Sequence, residues 1–111
     1  MAQVAVVVPD LLFGSNVLGA LRAAGHDAVL VNDASLLEPG VADVVVVDLT
    51  ADVSERIEQA RGLGVPTLAF YSHVEADVRD AAEAAGFDLV VPRSRMAREG
   101  PALVDRLLTR E

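Results

Sequence analysis

The chain has 111 residues, is 52% hydrophobic and 23% charged, and carries a formal net charge of −8 at pH 7. That length supports one domain, residues 1–111, with one core. All nine basic residues are arginines, and cysteine is absent, which excludes disulfides, thiol catalysis and cysteine metal sites. The acidic balance disfavours nucleic acid and anionic membrane as partners, because both require clustered positive charge. The start of the chain lacks a basic segment followed by an apolar stretch and a cleavage site. No apolar run approaches the ~20 residues of a membrane span. A cytoplasmic protein is expected.

In chain order, "QVAVVV" (Gln3–Val8) is a short apolar run suited to a strand buried on both faces. "LLFGSNVLGALRAAG" follows as a helix, with Phe13, Val17, Leu21 and Ala24 on the buried face and Gly25 as its stop. "DAVLV" (Asp27–Val31) is the second strand, and "NDASLLEPG" has room for one or two helical turns. "ADVVVVD" (Ala42–Asp48) is the third strand. "DVSERIEQARGLG" is a helix that turns Val53, Ile57 and Ala60 inward.

"PTLAFYS" (Pro66–Ser72) is the fourth strand. "HVEADVRDAAEAAG" is a helix expected to bury Val78, Ala81, Ala82 and Ala85. Ser72 and Glu75 have capping-box spacing at its start, and Gly86 closes it. "FDLVV" (Phe87–Val91) is the fifth strand. "PRSRMAREG" reads as a connection, and "PALVDRLLTR" as a last helix with Leu103, Val104, Leu107 and Leu108 inward.

Five strands thus alternate with five helical segments, the second of them stunted. The strands are continuous apolar runs, which marks a parallel sheet covered on both faces. The expected fold is α/β: a three-layer, doubly wound, five-stranded parallel sheet in the order 2-1-3-4-5.

Ligands of such sheets bind at the carboxyl ends of the strands. Strand one leads into Pro9-Asp10, strand three ends in Asp48, strand four in Tyr71-Ser72-His73, and strand five in Pro92-Arg93-Ser94. Two carboxylates, a hydroxyl and a guanidinium would share one rim. With these four positions and the "AAEAAGFDLVV" run, nearly the whole chain resembles a response-regulator receiver domain of atypical kind. The resemblance implies Asp48 as phosphoacceptor, Asp10 and Asp48 as Mg²⁺ ligands, and Ser72 and Arg93 as phosphate contacts. A carboxylate nucleophile and a hard divalent cation are what phosphoryl transfer requires. The resemblance also implies phosphorelay signalling with a histidine kinase or downstream effector as partner. It further implies homodimerisation through the fourth helix, fifth strand and last helix.

The chain departs from that pattern. Pro9 stands where a second acid is usual, and Leu49-Thr50-Ala51-Asp52 replaces a loop with proline and glycine. Pro92-Arg93 replaces Lys-Pro. Each residue also has a plainer reading. Asp48 and Asp10 can cap the helices that follow them, and Ser72 can serve a capping box. His73 is a proton donor, a pH sensor or simply an exposed residue at a helix start, and His26 is expected to lie inert in a turn at the opposite rim. Arg93, Arg95 and Arg98 form either an anion or partner patch, or a solvated cluster paired with Glu99 and other acids.

Two further functions stay open. One is a pseudo-receiver scaffold without phosphorylation. The other is a flavodoxin-like binder of a phosphorylated small molecule. Gly14 and Gly19 have the outer spacing of a P-loop, but Ala20-Leu21 replaces the required Lys-Ser/Thr, and no G-x-G-x-x-G follows the first strand.

Overall fold

A computed structural model describes residues 2–32, 37, 42–72 and 76–109. In chain order these form β1 (Gln3–Val7), α1 (Leu11–Ala23), β2 (Asp27–Val31), β3 (Val44–Asp48), α2 (Val53–Ala60), β4 (Thr67–Tyr71), α3 (Ala76–Ala84), β5 (Leu89–Pro92) and α4 (Arg93–Leu108). The strands make one parallel sheet in the order β2-β1-β3-β4-β5, as the apolar runs predict. The expected short helix in Asn32–Gly40 and the Ser72–Glu75 capping box fall largely outside the described residues, as does His73.

Alternation along each strand feeds two cores. Val4, Val6, Val8, Val44, Val46, Leu68 and Phe70 face α1 and α4, where Val17, Leu21, Met96, Leu103, Val104 and Leu107 meet them. Ala5, Val7, Val45, Val47, Leu49, Ala69 and Tyr71 face α2 and α3, packing with Ala60, Val78 and Ala82. Every residue of β3 and β4 is therefore buried. A buried valine stabilises by about 1.5–3 kcal/mol relative to an exposed one, so the central strands anchor the fold.

Helix α1 opens on Asp10, whose carboxylate accepts from the Leu12 and Phe13 amides at 3.1 Å each. It closes with Gly25 at φ +95°, where the His26 amide donates to the Leu21 carbonyl and the Gly25 amide to the Arg22 carbonyl. That double bond pattern needs a left-handed residue, and glycine adopts it without steric cost. Ala24, expected inside, is the exposed C-cap. In α3, Val78 and Ala82 are buried as expected, but Ala81 is exposed and Ala85 only half-buried. The helix rests on the sheet along one narrow line, so one position per turn is covered.

The largest difference lies after β5. No loop separates that strand from the last helix: α4 starts at Arg93 and runs through "RSRMAREG" to Leu108, with Pro101 inside it. Met96, Gly100, Leu103, Val104 and Leu107 form one buried stripe at helical spacing, and that stripe outweighs the break signalled by Gly100-Pro101. Leu108, expected inside, is partly exposed at the helix end. His26 is not an inert turn residue: it is buried, and its Nε2 lies 2.8 Å from Asp105 on α4.

Candidate functional site

The register sets the heights of the rim residues. Asp48 is level with Phe70, and Phe70 with Val91. Ser72 and Arg93 each follow two residues beyond that level in their own chains. Val7 is level with Val47, so Asp10 stands equally far past Asp48 on the β1 side. The four sequence-predicted residues thus belong to the carboxyl edge of the sheet, where open α/β folds do their chemistry.

Asp48 is sunk into that edge, with its side chain 6% exposed. Its Oδ1 accepts from the Thr50 amide at 2.7 Å and also from the Thr50 hydroxyl. This local turn, two residues long, is a habit of aspartate after a strand. On the other side lies Arg56, in the first turn of α2, only 12% exposed along its side chain. Its Nη1 donates to the Asp48 carbonyl at 2.9 Å and stands 4.0 Å from Asp48 Oδ2. Its Nη2 lies 3.6 Å from the Asp52 carboxylate.

Asp52 holds a left-handed backbone at φ +51°, alone among the described non-glycine residues. Such a conformation costs about 1–2 kcal/mol for a residue with a Cβ, least for Asp and Asn. Asp52 is the N-cap of α2, yet its side chain makes no cap bond. The strained turn brings its carboxylate to Arg56 instead.

Asp10 and Arg93 form a second assembly. While Asp10 Oδ1 caps α1, its Oδ2 accepts from Arg93 Nη2 at 3.2 Å. The Arg93 guanidinium lies 4.3 Å above the Phe13 ring, and Phe13 packs on Phe70 with centroids 5.0 Å apart. Arg93 therefore clasps α1. Ser72 is half-buried at the exit of β4. Arg95 pairs with Glu99 at 3.4 Å, and Arg98 Nε bonds the Ser94 carbonyl at 3.4 Å, both within α4.

A cation is unfavourable at a helix N-terminus, where the dipole is already positive. Both Arg56 and Arg93 sit there, and both stand beside a rim carboxylate. Sequence reasoning singled out Arg93 but missed Arg56 and Thr50. The available signal was local: Thr50 follows Asp48 at turn spacing, and Arg56 follows Asp52 by one helical turn.

A receiver-type Mg²⁺ ion wants about six oxygens in octahedral array. Pro9 offers no carboxylate, Asp48 Oδ1 already accepts two bonds, and both Asp10 oxygens are engaged. No group of three or more His, Asp or Glu able to hold a metal occurs among the described residues. The donor set does not fit the ion. A groove of about 350 Å³ lies between α1 and α4, lined by Phe13, Val17, Met96 and Pro101 among others. Two more concavities lie at the amino ends of the strands. Asp10, Asp48, Ser72 and Arg93 line none of the three.

Sheet order, helix placement and an acid at the tip of β3 define a receiver-like, flavodoxin-like fold. Solved structures similar to the chain include receiver domains. That of NtrX from Brucella abortus superposes with a TM-score of 0.83 at 15% identity, over 97% of this chain and 99% of that one. The non-phosphorylated HemR receiver domain from Leptospira biflexa gives 0.77 at 18% identity, over 100% and 97%. The receiver domain of a sensor histidine kinase from Pseudomonas aeruginosa, with a magnesium ion coordinated in its active-site cleft, gives 0.77 at 16% identity, over 98% of each chain. These likenesses establish the fold. No protein-family model and no curated protein sequence matches the chain. Among the described residues, no helix is long and apolar enough to cross a membrane.

Proposed function

We propose that residues 1–111 form one receiver-like signalling unit of the cytoplasm that acts by protein–protein contact, with Asp48 serving as a structural carboxylate rather than a phosphoacceptor. One observation carries this reading: both rim carboxylates already face groups of the chain itself, Asp48 Oδ1 accepting from Thr50 while Oδ2 lies 4.0 Å from the Arg56 guanidinium, and Asp10 accepting from the α1 amides and Arg93. A nucleophile must present a free oxygen to its donor and a cation must screen the incoming phosphoryl group. Here Asp48 is buried and a guanidinium stands beside its second oxygen. The partner is a histidine kinase or a downstream effector, and α3, β5 and α4 are the face for it or for a second copy.

The competing reading, phosphorylation at Asp48 with Ser72 and Arg93 binding the phosphate, draws support from the position of Asp48 at the tip of β3. Incubation with acetyl phosphate and Mg²⁺, followed by intact mass measurement, separates the two. The wild-type mass stays unchanged on the proposed reading. A phosphoryl increment that disappears in Asp48→Asn would overturn it.

A further inference from the structure

We infer that Arg56 is a built-in substitute for a divalent cation, which makes the rim around Asp48 metal-independent. The inference rests on the receiver-like reading of that rim and adds the residue that closes it. A divalent cation at such a site would set positive charge against the β3 carboxylate. Arg56 supplies that charge from within the chain: Nη1 bonds the Asp48 carbonyl at 2.9 Å and approaches Asp48 Oδ2 to 4.0 Å.

Three further observations support this assignment. Arg56 is almost fully covered, which is costly for a guanidinium unless carboxylates and carbonyls surround it. Asp52 takes the left-handed backbone of the turn and supplies a second carboxylate at 3.6 Å. Finally, the guanidinium sits in the first turn of α2 against the helix dipole, a place it holds only because two carboxylates meet it there. A divalent ion approaching Asp48 Oδ2 would meet that fixed positive charge at close range, in a medium of lower dielectric than water.

The metal and stability arms of the test need no phosphodonor, and acetyl phosphate enters only where a mass adduct is read. Wild-type protein is melted in EDTA and in millimolar Mg²⁺, and its amide spectrum is followed as Mn²⁺ is added. The expected result is one melting temperature in both conditions and no selective broadening of the Leu49 and Thr50 amides. Arg56→Gln is expected to melt lower by roughly 4–8 °C, and Asp48→Asn in the same background to recover most of that loss, because the carboxylate left without its partner is then gone. A rise in the wild-type melting temperature with Mg²⁺ that Asp48→Asn abolishes would overturn the inference, as would additive effects of Arg56→Gln and Asp48→Asn. Should Arg56→Gln fail to fold, the wild-type metal arm still decides. Metal binding without a mass adduct removes this inference and leaves contact signalling standing. An adduct formed in EDTA does the reverse.

Discussion

Arg93 at the start of α4 and Asp10 at the start of α1 are joined across the rim, Nη2 to Oδ2 at 3.2 Å, so that each helix is tied to the other by its first residues. Both side chains are about half exposed, 45% and 48%. Solvent screens such a pair, and its coupling is expected near 0.5 kcal/mol. Asp10 also caps α1, a role worth about 1 kcal/mol. Asp10→Ala should therefore cost more stability than Arg93→Ala. Asp10→Asn, which keeps the cap and loses the charge, should match the smaller loss. Urea unfolding of the three variants checks the order.

Asp48 is a different case because it is buried. Asp48→Ala leaves the Thr50 amide and hydroxyl short of an acceptor and removes the negative charge that faces the buried Arg56 guanidinium, at a cost of about 2–4 kcal/mol. Asp48→Asn keeps an acceptor for Thr50 and gives up only the charge facing Arg56, so a loss of about 1–2 kcal/mol is expected. Equal costs for the two variants would contradict the hydrogen-bond role of Oδ1.

Two glycines of α1 should respond with opposite signs to alanine. At Gly14 a Cβ would stand 3.0 Å from Leu30 Cδ2 and 3.3 Å from the Val8 carbonyl, whereas at Gly19 nothing lies within 4 Å. Gly19→Ala is expected to stabilise by about 0.5–1 kcal/mol through helix propensity. Gly14→Ala gains the same propensity but must displace a carbonyl of the sheet edge, for a net loss of about 1–2 kcal/mol. Thermal melts read the sign directly.

Pro101 interrupts the hydrogen-bond ladder of α4 by removing the amide that would serve the Ala97 carbonyl. Pro101→Ala restores it and is expected to raise stability by about 1 kcal/mol, after some lost packing along the groove with Phe13 and Met96. The amide exchange of residues 97–104 should slow in that variant.

The His26–Asp105 bond fastens the turn after α1 to α4. His26 is buried and Asp105 is 59% exposed. His26→Ala should cost about 1–3 kcal/mol from lost packing and the lost bond. Asp105→Ala should cost about 1 kcal/mol, less than His26→Ala, because it keeps the packing of the ring but leaves the Nε2 of the buried His26 without its partner. Chemical denaturation of both variants distinguishes a buried anchor from a surface ion pair.

Much of this was readable before any fold was in hand. The four-valine run ending in Asp48, and the like runs at β1 and β4, have no polar alternation, which only a sheet covered on both faces tolerates. Gly25 and Gly86 end helices where they were expected to, because a left-handed residue is a local demand. The reach of α4 was not readable. Gly100 and Pro101 give a strong local break signal, and the stripe that overrides it exists only because β3, β4 and β5 offer a face for Met96, Leu103 and Val104 to cover.

By itself, then, the sequence determined the strands, their parallel packing and the placing of Asp10, Asp48, Ser72 and Arg93 at one edge, since periodicity and turn chemistry act over a few residues. Only the tertiary structure decided what those side chains touch. Arg93 lies 83 residues from Asp10, and their meeting depends on two helices docking side by side on the sheet. Arg56 reaches Asp48 because the turn at Asp52 bends α2 back over the strand tip. Charges at such distances along the chain have no periodicity to announce them, and their pairing is set by packing.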